Sequence, residues 1–239
     1  MIPIGDGRRV PIFPFAVYAI VLLNAIVFVR EVELPTEAAR SAFIDGFALI
    51  PFDLTHGVQL APPAPPTVLT LVTSQFLHGS VFHIFFNMLF LVVFGPQIEY
   101  LTGHLRFAAF YLLCGIAGNL AQLSVGPGSH VPGIGASGAI AGVLGAYIVR
   151  FPTNTVDTIV PIGCFPLFLR LPAILVIGIW AATQFVHGFG PVSSRVLSEQ
   201  GGTIAYFAHI GGFLSGVLMI GLFAQNGRAR QGPRYRFHH

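Results

Sequence analysis

Six stretches of this chain are too apolar to keep water as their solvent, and that limits its fold more than any other feature. They occupy residues 10–29, 79–98, 107–123, 137–149, 171–188 and 203–224. Backbone N–H and C=O groups in hydrocarbon must bond one another, so such a stretch crosses a bilayer as a helix of about 20 residues. The third and fourth come from one uncharged length, 107–149, which is too long for a single crossing. Gly126-Pro127-Gly128-Ser129 and Pro132-Gly133 break it in the middle. Hydrophobic residues make up 54% of the chain and charged residues only 9%, where a soluble domain carries about 25% charged residues. The expected architecture is an all-α membrane protein, a six-helix transmembrane bundle.

The arginines orient that bundle. All 12 basic side chains are Arg, and the net charge is +3. Arg8 and Arg9 precede the first stretch, and Arg228, Arg230, Arg234 and Arg236 follow the last. An even number of crossings puts both termini on one side, which the positive-inside rule makes cytoplasmic. Arg106, Arg150 and Arg170 then fall inside, and the long first loop, with Glu31, Glu33, Glu37, Asp45 and Asp53, falls outside. The chain divides into a cytoplasmic N-terminus (1–9), a membrane domain (10–226) and a basic cytoplasmic tail (227–239).

Several partners and compartments are excluded on the same grounds. The arginines sit at the ends of apolar runs and form no nucleic-acid patch. Cys114 lies inside one run and Cys164 in a loop, so no disulfide is expected. No HExxH or similar ligand cluster is present, and no metal site is expected. A removable signal peptide is not expected either. Short ends without an organelle-targeting segment point to a bacterial inner membrane.

The first loop has structure of its own to offer. Residues 37–50 read as a short surface helix, and Pro62-Pro63-Ala64-Pro65-Pro66 as a stiff extended segment. Residues 67–78 are apolar but end in polar side chains, which fits either a segment lying on the outer leaflet or a plain linker.

Polar side chains inside the apolar stretches are costly and mark functional candidates. Four stand out: His83, Asn87, Ser137 and His209. Singly, each has an ordinary structural role, the serine bonding its own helix and the others a neighbouring one. Their depth argues for more. The 137–149 stretch is about 20 Å long against about 30 Å of hydrocarbon, so it begins well below the outer surface. The preceding loop, 126–135, must then dip into the membrane, which requires protein or a water-filled cavity around it. His209 lies roughly 9 Å into its stretch. His83 and Asn87, at i and i+4, share a face one to two turns into theirs. All four reach one level.

That convergence suits acyl transfer. A serine hydroxyl is a weak nucleophile until a base takes its proton, and a neutral imidazole serves. Negative charge then develops on the carbonyl oxygen of a cleaved amide. His83, Asn87 and the Ser137 backbone N–H at a helix start are the candidate donors for an oxyanion hole. No carboxylate lies near His209 in the sequence, so a Ser–His dyad is expected rather than a triad. Gly135, Gly138, Gly142 and Gly145, with Gly211, Gly212 and Gly216, make two small-residue faces for close helix approach. Helix packing without chemistry accounts for these glycines equally well.

Together these motifs resemble those of the rhomboid family of intramembrane serine proteases. Gly135-Ala136-Ser137-Gly138 is similar to its GxSG motif. Ala208-His209-Ile210-Gly211-Gly212 with Gly216 is similar to its AHxxG and GxxxG pattern, and His83 to Asn87 to its HxxxN motif. Gly95 to Glu99 is similar to the GxxxE that follows. The resemblance spans roughly 67–221, in the order of the six-helix bacterial form. It implies a rhomboid-type bundle opening to the outside, transmembrane proteins as substrates, the bilayer as surroundings, and no cofactor. It implies Ser137 as nucleophile, His209 as base, and His83 and Asn87 at the oxyanion hole. Trp180 and Phe185 would belong to the mobile helix that gates the site. Two features depart from the pattern. Ala141 stands where some members carry an aromatic beneath the base, leaving a Phe from another span as a candidate brace. The usual Arg of the first loop is not evident.

Two other functions compete. A non-catalytic rhomboid-like factor that binds membrane proteins typically lacks the serine or histidine, and this chain keeps both. A transporter would show buried carboxylates or an inverted repeat. The sequence shows neither, and Glu99, the acid nearest a span, is expected at the inner end within reach of water.

Overall fold

The computed structural model describes residues 1–8, 10–58, 64–162, 165–189 and 205–225. Arg9, Pro62, Pro63, Cys164, residues 203–204 at the head of the last stretch and the basic tail lie outside these. In chain order the elements are β1 (Ile2–Asp6), α1 (Phe15–Val32), α2 (Glu37–Phe47), α3 (Pro51–His56) and α4 (Thr67–Phe76). Then come α5 (Val81–Thr102), α6 (His104–Val125), α7 (Ser137–Arg150), β2 (Thr155–Ile162), β3 (Phe165–Pro172), α8 (Ala173–Phe189) and α9 (Tyr206–Phe223). Each apolar stretch of the sequence carries a helix. Four of them, α1, α5, α6 and α9, are long and apolar enough to cross a membrane. α7 and α8 are apolar but shorter, at 14 and 17 residues.

The expectation of an all-α chain needs one correction. β1, β2 and β3 form a three-stranded antiparallel sheet in that order. The 155–172 segment alternates side chains of high β propensity with period two, and pairs Val156 with Leu171 and Thr158 with Leu169. Val156 and Thr158 turn one face into the protein interior. β1 adds to the other edge, and its Asp6 accepts a 2.5 Å hydrogen bond from the Tyr147 hydroxyl of α7. Burial holds the Asp6 carboxyl above the usual range despite that bond.

Helix packing is governed by glycine. α9 lies along both α7 and α6. A Cβ on Gly212 would run into the carbonyl oxygen of Gly138, and one on Gly216 into that of Gly142. Gly145 likewise faces the Phe213 carbonyl. Gly211, grouped with these in the sequence, points elsewhere: its Cβ would meet Ala121 and Ala117 of α6. Around this seam Phe94, Phe107, Phe110, Tyr111 and Tyr147 are fully buried.

Two acids are placed differently from expectation. Glu99 does not reach water. It is fully buried, and its carboxylate accepts from the Ala16 and Val17 N–H groups (2.9 and 2.8 Å) and meets the His104 ring. These are free N–H groups of the first turn of α1, where the helix dipole favours an anion. Glu31 is not in an exposed loop but buried at the end of α1, accepting from the His78 N–H at 3.0 Å. The first loop also folds: Arg40 of α2 donates to the Gly79 carbonyl at 3.1 Å, and Thr73 of α4 to that of Phe47 at 2.7 Å.

Because no side chain fits between α7 and α9, Gly216→Ala should cost about 1–3 kcal/mol through overpacking. Gly221→Ala, with nothing within 4 Å, should not lower stability. Thermal unfolding in detergent micelles checks this; equal midpoints for the two variants would contradict the close approach.

Candidate active site

Ser137 begins α7, and the residues before it explain why the helix starts there. The 126–135 loop is pinned from both sides. Leu49 and Gly133 exchange backbone hydrogen bonds of 3.0 and 2.7 Å, and the Gly135 N–H donates to the Ser74 carbonyl at 2.9 Å. Gly135 has φ +122°, a region open to glycine and strained for other residues. It is therefore a loop glycine and not part of a helix seam. A Cβ there would stand 2.8 Å from the His83 ring and 3.8 Å from Asn87 Nδ2. Gly138 and Gly142 lie in the α7 seam against α9.

The other polar groups arrive on separate helices. Ser80 caps α5 by accepting from the His83 N–H at 3.1 Å, which fixes where His83 and Asn87 fall on that helix. His209 sits one turn into α9. Across the glycine seam its Nε2 lies 2.7 Å from Ser137 Oγ. Ser137, His209, His83 and Asn87 all line one cavity of about 600 Å³, together with Trp180 of α8 and the 131–134 loop. Asn87 is buried, and among the described residues its Nδ2 has no hydrogen-bond partner. A buried donor left unpaired costs free energy, so it asks for an acceptor.

What surrounds His209 answers the question left by Ala141. Among the described residues no Phe stacks under it. Gln184 Oε1 lies 2.8 Å from His209 Nδ1, and the Trp180 ring stands 5.9 Å away at 39°. Both come from α8, one helical turn apart. The sequence held a signal for this: Gln184 is a polar side chain inside an apolar stretch, four residues after the lone Trp. Phe185 packs on Phe189 and does not line the cavity.

A third histidine stands behind the site. His78 is fully buried and meets the His83 ring edge-on at 5.0 Å. Burial, and after it the neighbouring His83, push its imidazole down to about 3, so the ring is neutral at physiological pH. Among the described residues no group of three or more His, Cys, Asp or Glu could hold a metal ion, and Cys114 is a buried free thiol.

Comparison with known proteins places this architecture. The Rhomboid domain family model matches residues 65–226, and the chain belongs to the rhomboid family. RHOMBOID-like protein 5 of Arabidopsis thaliana is 32% identical over 149 residues, 62% of this chain and 42% of that relative. Rhomboid protein 1, mitochondrial, of Saccharomyces cerevisiae is 30% identical over 154 residues, 63% of this chain and 40% of its own length. Inactive RHOMBOID-like protein 8 of Arabidopsis thaliana is 31% identical over 147 residues, covering 61% and 35%. The chain thus spans less than half the length of these relatives. Family and apolar helices together make it an integral membrane protein. Plant and mitochondrial relatives lend no support to a bacterial inner membrane.

If Gly135 must be glycine, Gly135→Ala should cost about 1–3 kcal/mol of backbone strain and press on His83. Gly128→Ala, with nothing within 4 Å, is the control. Thermal midpoints in micelles that fall only for the first substitution are the expected result.

Proposed function

We propose that this chain is an intramembrane serine endopeptidase that cleaves transmembrane segments of other membrane proteins with a Ser137–His209 dyad. The observation that carries the reading is the 2.7 Å contact between Ser137 Oγ and His209 Nε2 inside a cavity of a membrane bundle. Family membership supports proteolysis in general. Retention of both residues favours it over the non-catalytic behaviour of an inactive relative. In the proposed topology all six apolar helices cross, with both termini cytoplasmic, and the cavity opens to the outer side.

The chemistry follows from the geometry. Ser137 Oγ attacks the scissile carbonyl carbon while its proton passes to His209 Nε2. The carbonyl π pair moves onto oxygen, and the oxyanion meets the Asn87 amide, the His83 ring and the Ser137 backbone N–H. Asn87 Nδ2, buried without a partner, finds an acceptor in this oxygen, and the bond strengthens as negative charge develops there, which favours the transition state over the ground state. When the intermediate collapses, the C–N bond breaks and the amine leaves with the proton from His209. Water attacks the Ser137 ester by the same steps in reverse.

Ser137→Ala should abolish cleavage of a reporter with one transmembrane segment while leaving the thermal midpoint near that of wild type. Undiminished cleavage would remove the mechanism. Asn87→Ala should lower kcat by up to about 10²-fold with little change in KM, the effect of losing one of several oxyanion donors. An unchanged kcat would take Asn87 out of the site.

A further inference from the structure

His209 has a partner that neither the sequence motifs nor the dyad accounts for. Gln184 projects from α8, and its Oε1 lies 2.8 Å from His209 Nδ1. Which end of the amide faces the ring is decided by its other neighbours. The Thr183 hydroxyl donates to the Trp180 carbonyl at 2.6 Å. With its own hydrogen committed, Thr183 Oγ1 can only accept from Gln184, and Gln184 Nε2 stands 3.1 Å from it and 3.4 Å from the same Trp180 carbonyl. The amide nitrogen is thereby occupied, and the amide oxygen is left for the histidine.

That assignment fixes the proton on the ring. An amide oxygen only accepts, so Nδ1 carries the hydrogen. Nε2 then holds the lone pair, and that nitrogen is the one 2.7 Å from Ser137 Oγ. The other tautomer would place two lone pairs face to face at Gln184 and leave nothing on Nε2 to receive the serine proton. Trp180, one turn before Gln184, stands beside the same ring at 5.9 Å, tilted by 39°.

We propose that Gln184 is a positioning residue: by accepting from Nδ1 it holds His209 in the tautomer and orientation that receive the Ser137 proton, in the place a carboxylate fills in a triad. This rests on the reading of His209 as the base. It adds that the base is set by α8, a helix that packs against α9 and α7 and lines the cavity through Trp180.

The test uses the full chain in detergent micelles and three readouts: the rate of Ser137 labelling by a small fluorophosphonate, kcat and KM for a single-span reporter, and the thermal midpoint. Gln184→Leu should slow labelling and kcat alike by about 10-fold, the effect of one orienting hydrogen bond, with KM and midpoint little changed. Gln184→Glu keeps an acceptor oxygen in either protonation form and should recover most of both rates. If Gln184→Leu fails to fold, Gln184→Asn is shorter by one methylene and should be comparably slow. Wild-type labelling rates in Gln184→Leu, or a folded Gln184→Glu no faster than Gln184→Leu, would overturn the positioning role alone. A wild type that never labels at Ser137 brings down the dyad and this inference together.

Discussion

The approach of α7 to α9 is the constraint on which the rest of the molecule depends. Two helices with ordinary side chains pack 8–10 Å apart, too far for a short serine to reach a histidine across the gap. Here Gly212 rests on the Gly138 carbonyl and Gly216 on that of Gly142, with no room for a Cβ at either. Without a hydrophobic drive between helices in lipid, such contact is held by van der Waals packing. Ser137 and His209 stand at the end of that seam, and their 2.7 Å separation follows from it.

Two buried acids elsewhere in the bundle are bonded into its structure. Glu99 and Glu31 are buried carboxylates whose oxygens meet backbone N–H groups, tying α1 to α5 and to the start of the cavity wall. They serve structure. Asn87 has a buried donor with no acceptor among the described residues, as do other buried groups such as Tyr111 and His78, and His209 meets Ser137 on one side and Gln184 on the other.

Much of this was legible in the sequence, for a physical reason: hydrocarbon tolerates few polar side chains, so those that occur are conspicuous. His83, Asn87, Ser137 and His209 stood out on that ground and line one cavity. The helical stretches were legible as well, with boundaries moved by local rules, as where Pro14 delays α1 to Phe15 and Gly103 at φ 84° separates α5 from α6. Other features depend on contacts between distant segments. The β2–β3 pairing runs from a loop into the edge of an apolar stretch, and its strands take their partners from each other and from β1 at the far N-terminus. Glu99 has its partners 82 and 83 residues away. Gln184 was visible as a polar residue in an apolar run, but only the packing of α8 on α9 gives it His209 as a partner.

The central claim is that Ser137 is made nucleophilic by His209 inside the membrane bundle. It is tested most directly by treating the purified protein with a fluorophosphonate and locating the adduct by peptide mass spectrometry. The account predicts a single adduct on Ser137, lost when His209 is replaced by Ala in a protein of unchanged thermal midpoint. Labelling of Ser137 that persists at full rate without His209, or an adduct elsewhere with Ser137 untouched, would contradict it.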